Sequence, residues 1–563
     1  MIATEIVEET VVKLKSEEIE IENIDHLGIV AGMIDSIGIV EIINELIGVE
    51  KDEKVNAGQV VKAMIINGLG FVSKPLYMFP EYFETIACEH LIGAGVKPQY
   101  LNDDKLGRVM DKMFEKGLST IFFIIAAKAA QKFGVSLSTS HLDSSSMHVH
   151  GKYNTSLQEV IFESQKIGDN QELEEMTAKL PKEITITYGY SRDHRPDLKQ
   201  FIIEMICSGD GDMPIFLKLA SGNQVDSSCF GQIAVEYQKQ LEVNSLMVAD
   251  SALYTESNLK MMSELSWLCR VPVSIKAAKS LILTIPESEF IDSKIPGYKL
   301  ASKIENYAGI EQRWLVVQSQ ERRESDLRKL TQKIIKSESK AVQDLRKLSQ
   351  EEFACEADAI KALSKLSKQF KYHKINESTV TQVKSNKKDS SGETSYQILA
   401  KVSEDERKIN TESLSAGRFI IATNVLDSKE LSNDSMLSEY KAQQCCERGF
   451  RFLKDPLFFA DSIFLKSPKR IESMGMIMGL CLLVYTLAQR EIRAALRESK
   501  STIKDQLGKL TDRPTLRWIF QCFQGIHLVE YNNEKQVSNW TKDRDFILNL
   551  LPNDCLRYYR LVT

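Results

Sequence analysis

Apolar side chains recur at helical spacing through the first part of the chain. Over Asp25–Ile47 they return every three or four residues, and Gly38 in the middle marks a point where the helix can split. Further helices are predicted over Asn56–Leu69, Tyr82–Ala94 and Asp103–Phe133. Residues 1–134 are therefore predicted to form an all-helical N-terminal domain. Such a domain could bind DNA ends, or it could serve only packing and dimerisation.

After Gly134 the spacing changes from helical to alternating. Val135–Asp143 alternates apolar and small polar residues, which is typical of a strand. Further strands are predicted at Phe201–Cys207, Pro214–Ala220, Leu246–Asp250 and Trp267–Pro272. Helices are predicted between them over Gln224–Gln240 and Glu256–Glu264. Residues 135–272 are therefore predicted to form a mixed α/β layer.

Residues 273–417 differ in character and are predicted to form an inserted domain. Glu321–Gln369 is rich in Lys, Glu and Leu with few helix breakers, which predicts a helical hairpin. Asn376–Glu393 is polar and rich in turn-forming residues, which predicts a loop. Strands are predicted at Trp314–Val317 and Tyr396–Val402.

The α/β pattern resumes after this insertion. A strand is predicted at Arg418–Thr423, followed by helices over Met436–Lys454 and Ser473–Glu498. Residues 418–500 are therefore predicted to complete the layer begun at residue 135. Residues 501–563 are predicted to form a helical and irregular C-terminal region, so that the fold class is α/β with helical domains at both ends.

Charge is distributed unevenly along the chain. The formal net charge of -6 argues at first against a nucleic-acid partner. However, Met1–Val60 holds 14 acidic and 4 basic residues, so the rest of the chain is net basic. Because nucleic-acid binding depends on local basic surface, the total charge excludes little. A composition that is 43% apolar and 27% charged does exclude a disordered or fibrous chain.

Several features predict a cytoplasmic protein without a membrane partner. The strongly acidic stretch Met1–Glu22 predicts no secretory signal. The ten cysteines are scattered without CxxC pairs, which is typical of reduced thiols. The apolar run Met474–Ala488 has 15 residues, whereas a membrane span needs about 20, so a buried helix is predicted. Gly475 and Gly479 within it predict close packing of that helix against the sheet.

Three acidic residues stand out by their context. Asp143 and Asp250 each follow an apolar predicted strand, and Glu447 lies within a predicted helix. Carboxylates held at the edge of a rigid sheet can meet across neighbouring strands, and a divalent cation relieves their repulsion. Such oxygen ligands suit Mg²⁺ or Mn²⁺ rather than zinc. Taken singly each aspartate has a plainer explanation, because an Asp after a strand is commonly a turn or helix cap.

The predicted helix around the glutamate places unlike polar groups together. At about 100° per residue, four side chains share one narrow face, namely those of Tyr440, Gln443, Glu447 and Lys454. An acid flanked by a phenol, an amide and an ammonium group is typical of a metal-binding carboxylate among donors to phosphate oxygens. The alternative is a solvated charged face.

Together these residues resemble the DDE transposases of bacterial insertion sequences. The strand-end aspartates Asp143 and Asp250, followed by Tyr440-x2-Gln443-x3-Glu447-x6-Lys454, are similar to one large group of them. That group has a Tyr-x2-Arg-x3-Glu-x6-Lys signature and a domain inserted between the second Asp and the Glu. Here Gln443 stands where the signature has Arg. Arg448 or Arg451 could compensate for that cation.

The resemblance implies a fold, an activity and partners. The implied fold is an RNase H-like catalytic core that an insertion domain interrupts. The implied activity is DNA cleavage and joining, with two Mg²⁺ or Mn²⁺ ions held by Asp143, Asp250 and Glu447. The residues implied to contact DNA phosphates are Tyr440, Gln443, Lys454, Arg448 and Arg451. The implied partners are terminal inverted repeats and target DNA, bound by a homodimer in the bacterial cytoplasm and nucleoid.

Two other functions remain open from the sequence. One is a metal-dependent nuclease or phosphohydrolase that uses the same carboxylates without strand joining. The other is a decayed DNA-binding relative, in which Gln443 marks the loss of catalysis.

Two weaker patterns each have a plainer explanation. His148 and His150, with His141 and His194, could bind zinc, but strand-edge histidines are favoured. Basic residues such as Lys329 and Lys333 could contact DNA, although a solvated helix face is the default.

Overall fold

The computed structural model describes residues 19–71, 73–149, 181–191, 193–240, 244–384, 394–455, 465, 467–532 and 534–561. The chain divides into two compact units. The first unit comprises Met1–Leu265 and Lys441–Thr563, and the second comprises Ser266–Tyr440. The predicted boundaries at residues 134, 272, 417 and 500 concern finer divisions and stay predictions.

The secondary structure alternates between helical and mixed stretches. The helices are α1 (Leu27–Ile37), α2 (Ile39–Ile47), α3 (Ala57–Leu69), α4 (Phe79–Phe83), α5 (Cys88–Ile92), α6 (Asp103–Lys116), α7 (Leu118–Lys132), α8 (Asp226–Gln240), α9 (Glu256–Met261), α10 (Lys276–Thr284), α11 (Gln320–Ser349), α12 (Glu356–Ser367), α13 (Glu406–Ser415), α14 (Asn433–Ala442), α15 (Gln444–Leu453), α16 (Pro468–Glu498), α17 (Leu516–Cys522), α18 (Lys542–Leu548) and α19 (Asn553–Leu556). The strands are β1 (Ile19–Asn23), β2 (Thr139–Val149), β3 (Lys199–Ser208), β4 (Pro214–Ser221), β5 (Leu246–Ala249), β6 (Trp267–Arg270), β7 (Ile291–Asp292), β8 (Tyr298–Tyr307), β9 (Ile310–Ser319), β10 (His373–Lys384), β11 (Thr394–Glu404), β12 (Arg418–Thr423), β13 (Ile503–Lys504), β14 (Leu510–Thr511), β15 (His527–Tyr531) and β16 (Glu534–Val537).

In the first unit the main sheet has the strand order β4-β3-β2-β5. Strands β2, β3 and β4 pair antiparallel, whereas β5 runs parallel to β2. The prediction that a strand ends at Asp143 was wrong, because β2 continues to Val149. The long apolar strand β3 supplies hydrogen-bonding partners for Ser144–Ser146, whose side chains are buried. Asp143 instead follows the last parallel pair of β2 and β5, in which Leu142 lies opposite Ala249.

Helices cover both faces of this sheet. On one face, the hydroxyl groups of Tyr237 on α8 and Ser140 on β2 are 2.9 Å apart. On the other face, α15 approaches so closely that a Cβ at Gly449 would lie 2.8 Å from the Met205 side chain. Met205 is the cross-strand partner of Asp143, and cross-strand partners point to the same face. The Asp143 carboxylate therefore points to the face that α15 covers.

The long helix α16 packs on that same face. Among the described helices, α16 alone is long and apolar enough to cross a membrane, with α1 and α2 together qualifying only if their 55° bend is ignored. The most apolar stretch of α16 is 94% buried inside the protein, in agreement with the predicted buried helix. Gly475 lies against Leu219 and Gly479 against Leu217, both on β4, as the small-residue spacing predicted.

We expect Gly479→Leu to lower the free energy of unfolding by about 1–3 kcal/mol, because overpacking displaces well-packed neighbours. A Cβ at this position would lie 2.6 Å from Leu217 and 3.0 Å from Phe122. Urea unfolding measures the change, and Glu498→Leu at the exposed end of the same helix is the control. Equal unfolding midpoints for the two variants would contradict close packing at Gly479.

The N-terminal helices largely follow the prediction. Gly38, with φ of 84°, separates α1 from α2, and Asn56 caps α3 through a capping box with Gln59. The single helix predicted over Tyr82–Ala94 was wrong, because only the short helices α4 and α5 form there. Between them the backbone of residues 85–87 hydrogen-bonds to Asn23 of β1. The backbone groups that make these bonds are not available for the hydrogen bonds of a continuous helix.

His26 is buried at the start of α1. Its Nε2–H donates to the Leu69 carbonyl oxygen at 2.9 Å, and Gln524 donates to its Nδ1 at 2.8 Å. Burial lowers the pKa of His26 to about 4, although the bond to Leu69 opposes the shift. The imidazole is therefore held in its neutral form.

We expect this histidine to destabilise the fold in acid. The unfolded chain binds the proton near pH 6.5, whereas the folded chain binds it only near pH 4. The contribution of His26 to the free energy of unfolding is therefore fully present above pH 6.5 and is lost as the pH falls towards 4. The loss is about 3 kcal/mol. Urea unfolding at pH 7.5 and pH 4.5 measures it. His26→Gln cannot titrate, so its pH dependence is expected to be smaller by this amount, and an equal pH dependence in both proteins would contradict the assignment.

The second unit has an antiparallel sheet in the order β6-β12-β9-β8-β7. The predicted helical hairpin is present as α11 and α12. The prediction of a loop over Asn376–Glu393 was wrong for the described part, because β10 extends to Lys384 and pairs with β11, while residues 385–393 lie outside the described residues. The pairing buries Ile398 of β11 against the hairpin residues Leu345 and Leu363.

The C-terminal region contains strands that the sequence pattern did not predict. Strand β15 pairs antiparallel with β1, from Ile19 opposite Tyr531 to Asn23 opposite His527. Strand β16 then pairs with β15. These strands are short and half-exposed, so their pattern is weak, and the partner of β15 lies at the opposite end of the chain.

Candidate functional site

The two candidate aspartates occupy adjoining positions on neighbouring parallel strands. Leu142 and Ala249 are register partners, so Asp143 and Asp250 are the next residues along strands about 4.8 Å apart. Both side chains are half-buried. Asp250 Oδ1 also accepts a hydrogen bond from the Ala252 amide at 2.8 Å, which is the turn role that a lone strand-end Asp would have.

Glu447 lies on the helix that covers this face of the sheet. Cys446 Sγ donates to the His141 carbonyl oxygen of β2 at 3.1 Å, and Gly449 faces β3 through Met205. Because successive helical residues are rotated by about 100°, Glu447 lies about 200° around α15 from Gly449, on the side away from the sheet. The Glu447 side chain is exposed there.

The three carboxylates are not preassembled as a metal cluster. Within the described ranges, no group of three or more His, Cys, Asp or Glu side chains could hold a metal ion. Neighbouring carboxylates repel each other when no cation lies between them. Their donor set, oxygen atoms at the edge of a rigid sheet, is of the kind that Mg²⁺ binds. The assignment of Asp143, Asp250 and Glu447 to two ions stays a prediction.

The single helix predicted over Met436–Lys454 was wrong. Helix α14 ends at Ala442 and α15 begins at Gln444, with Gln443 between them. Gln443 has φ of -54° and ψ of -19°, and its carbonyl accepts from the amide three residues later, so the turn is tighter than α-helical. Tyr440 belongs to the second unit, where its ring centroid lies 6.0 Å from that of Phe419. The four polar residues therefore do not share one face of a regular helix.

Lys454 directly follows α15 and lies in a polar cluster. Its Nζ donates to Asp193 Oδ2 at 2.6 Å, and the same oxygen lies 3.6 Å from His148 Nδ1. His148 Nε2 also lies 2.9 Å from Ser191 Oγ. Burial lowers the pKa of His148, although the Asp193 carboxylate opposes the shift. This favours a hydrogen-bonded strand-edge histidine over a zinc ligand, while His150 and Arg192 lie outside the described residues.

The two arginines proposed to replace the signature cation differ in their surroundings. Arg448 forms two hydrogen bonds with Asp212, at 2.7 and 2.8 Å, and these raise the pKa of its guanidinium. Arg451 is exposed. Arg448 is therefore already paired with a carboxylate, and Arg451 is the more accessible candidate for a phosphate contact.

The structure contains two basic cavities that the sequence pattern did not predict. In the second unit, a cleft of about 740 Å³ is lined by nine Lys and Arg side chains against the two acids Asp326 and Glu412. It includes Lys329 and Lys333, interpreted above as a solvated face. In the first unit, a smaller cavity is lined by arginines of α15 and α16 and the loop before α17. On α16 they lie at i, i+3 and i+7, a spacing visible in the sequence, but the partners that close each cavity come from distant segments.

Comparison with known proteins gives a partial family match and distant structural similarities. Residues 19–127, which cover β1, α1–α6 and most of α7, match the family described as a domain of unknown function (DUF4277). A comparison with curated proteins finds no match. The chain is similar to the piggyBac transposase in a synaptic complex with hairpin DNA. This similarity has 11% identity and a TM-score of 0.36 over 94% of this chain and 84% of that chain. A TM-score of 0.36 does not establish a shared fold.

Proposed function

We propose that this chain is a DDE-type DNA transposase that cleaves the ends of an insertion sequence and joins them to target DNA. The observation that carries the proposal is the arrangement of three acids. Asp143 and Asp250 adjoin at the end of the β2–β5 pairing, and Glu447 lies on the facing helix. The strand order β4-β3-β2-β5 is compatible with the RNase H-like core that the sequence resemblance implies.

The proposed chemistry is phosphoryl transfer in two steps. Water attacks a backbone phosphorus atom, the bond to the 3′-oxygen breaks, and the products are a 3′-hydroxyl and a 5′-phosphate. The freed 3′-hydroxyl then attacks a phosphodiester of the target, forming one phosphorus–oxygen bond as another breaks. Two Mg²⁺ or Mn²⁺ ions, when bound, would supply charge neutralisation and a more acidic water. Asp143, Asp250 and Glu447 would hold them.

Positive surface in both units supports a DNA partner. Four of the nine cations around the cleft of the second unit form salt bridges with carboxylates, and the other five leave an excess of positive charge that attracts a polyanionic backbone. Lys454 would exchange its hydrogen bond with Asp193 for a contact with a phosphate near the cleaved bond. We propose that the DNA is the terminal inverted repeats and target, bound by a homodimer in the bacterial cytoplasm, since end pairing requires two active sites.

The experiment uses the purified full chain and a plasmid carrying the DNA that flanks its gene on both sides. We expect nicking that requires Mg²⁺ or Mn²⁺ and leaves 3′-hydroxyl ends. We also expect a precleaved end with a 3′-hydroxyl to be joined to a second plasmid. Cleavage without joining would identify a nuclease, and binding without cleavage would identify a decayed relative. Either result contradicts the proposal.

A further inference from the structure

The smaller basic cavity of the first unit has an unusual lining. It encloses about 530 Å³ between the β3–β4 turn, helix α15, the C-terminal part of α16 and the loop before α17. Two aspartates of the turn, Asp210 and Asp212, line it. Five arginines line it as well, namely Arg448, Arg490, Arg493, Arg497 and Arg513.

The two aspartates neutralise only two of these arginines. Arg448 binds Asp212 through two hydrogen bonds, and Arg490 binds Asp210 through two more, at 3.0 and 2.7 Å. The other three guanidinium groups, those of Arg493, Arg497 and Arg513, have no salt bridge to any carboxylate within the described ranges. The cavity therefore holds excess positive charge.

Ordinary helix electrostatics explains only part of this excess. The negative end of the helix dipole favours Arg497, which lies in the last turn of α16. Arg493 is half-buried, and burial, with the neighbouring charge of Arg513, lowers the pKa of its guanidinium. Guanidinium forks match the oxygen spacing of phosphate, to which they donate paired hydrogen bonds. A bound phosphate would satisfy the charge that the protein leaves unpaired.

We propose that this cavity binds a phosphate group through Arg493, Arg497 and Arg513, with Arg448 and Arg490 held at its edge by their aspartates. If the proposed function is correct, the phosphate belongs to the backbone of the bound DNA. Arg448 directly follows Glu447 on α15, and Gly449 places this side of the helix towards β3. The cavity therefore anchors a strand on the β3 side of α15, whereas Asp143 and Asp250 lie where the β2–β5 pairing ends.

The first measurement tests the cavity without DNA. Isothermal titration of the full chain with inorganic pyrophosphate compares wild type, the triple variant R493Q/R497Q/R513Q and the double variant R497Q/R513Q. The double variant keeps Arg493, whose Nε–H donates to the Pro514 carbonyl at 2.9 Å, so folding is preserved if the triple variant unfolds. We expect pyrophosphate affinity to fall at least about tenfold in the double variant. The control R108Q/R328Q/R346Q removes three exposed arginines elsewhere and is expected to bind as wild type does.

The second measurement identifies the source of the phosphate. A plot of the logarithm of DNA affinity against the logarithm of salt concentration has a slope that reflects the number of phosphate contacts. We expect the magnitude of this slope to fall by about one in the double variant, because one phosphate contact is lost. Weaker pyrophosphate binding with an unchanged DNA slope would support the cavity as a site for a free phosphate anion and overturn its assignment to DNA. Wild-type behaviour of both variants in both measurements would overturn the proposal. Metal-dependent cleavage is scored separately, so failure of the proposed function is distinguishable from failure of the cavity.

Discussion

Asp143→Asn is expected to reduce Mg²⁺-dependent DNA cleavage by at least about a thousandfold. The substitution removes one negative charge from the adjoining pair of aspartates while keeping the size of the side chain. A neutral amide binds Mg²⁺ more weakly than a carboxylate does, so the proposed ions would no longer be held. Asp250→Asn and Glu447→Gln are expected to have the same effect. Nicking of a plasmid that carries the DNA flanking the gene measures cleavage.

DNA binding separates a catalytic role from a structural one. We expect the three variants to bind DNA within about twofold of wild type, because removing a negative charge does not weaken attraction to phosphates. Asp52→Asn is the matched control, since Asp52 is exposed and its positive φ of 67° suits asparagine equally well. If Asp143→Asn cleaves DNA at the rate of the control, the proposed catalytic role of the three acids is wrong.

Asp35→Ala is expected to lower the free energy of unfolding by about 3–5 kcal/mol. Asp35 on α1 accepts a hydrogen bond from Lys62 Nζ at 2.7 Å, and the Lys62 side chain is only 3% exposed. Arg557 and Tyr558, from the C-terminal end of the chain, donate to the same carboxylate. Burial already lowers the pKa of Lys62, so removal of its counter-charge leaves a buried ammonium group with only the Tyr558 hydroxyl as its partner. Urea unfolding at neutral pH measures the loss.

A double-mutant cycle checks the cause. Lys62→Met replaces the ammonium group by an apolar side chain of similar length. We expect the double variant D35A/K62M to be more stable than Asp35→Ala alone, because no charge is then buried unpaired. If the two losses simply add, the interpretation of Asp35 as the counter-charge of Lys62 is wrong.

Local sequence pattern was sufficient where a cap, a glycine or an alternation of side chains marks an element within a few residues. The cap of Asn56, the break at Gly38 and the strand Arg418–Thr423 lie where the pattern predicted them. The sequence also predicted that Asp143 and Asp250 can meet across neighbouring strands, and they adjoin in register, although β2 continues past Asp143. Capping, glycine conformation and alternation act within a few residues, so one sequence is enough to recognise them.

Tertiary structure decided the features that depend on distant partners. Strand β2 continues past Asp143 because β3 pairs with it, and residues 85–87 leave the helix because they pair with β1. Strand β10 forms because β11 pairs with it, on the far side of the stretch predicted as a loop. The arginine cavity joins segments from residues 209 to 513. The sequence by itself identified the candidate acids, and long-range pairing decided which of them lie side by side.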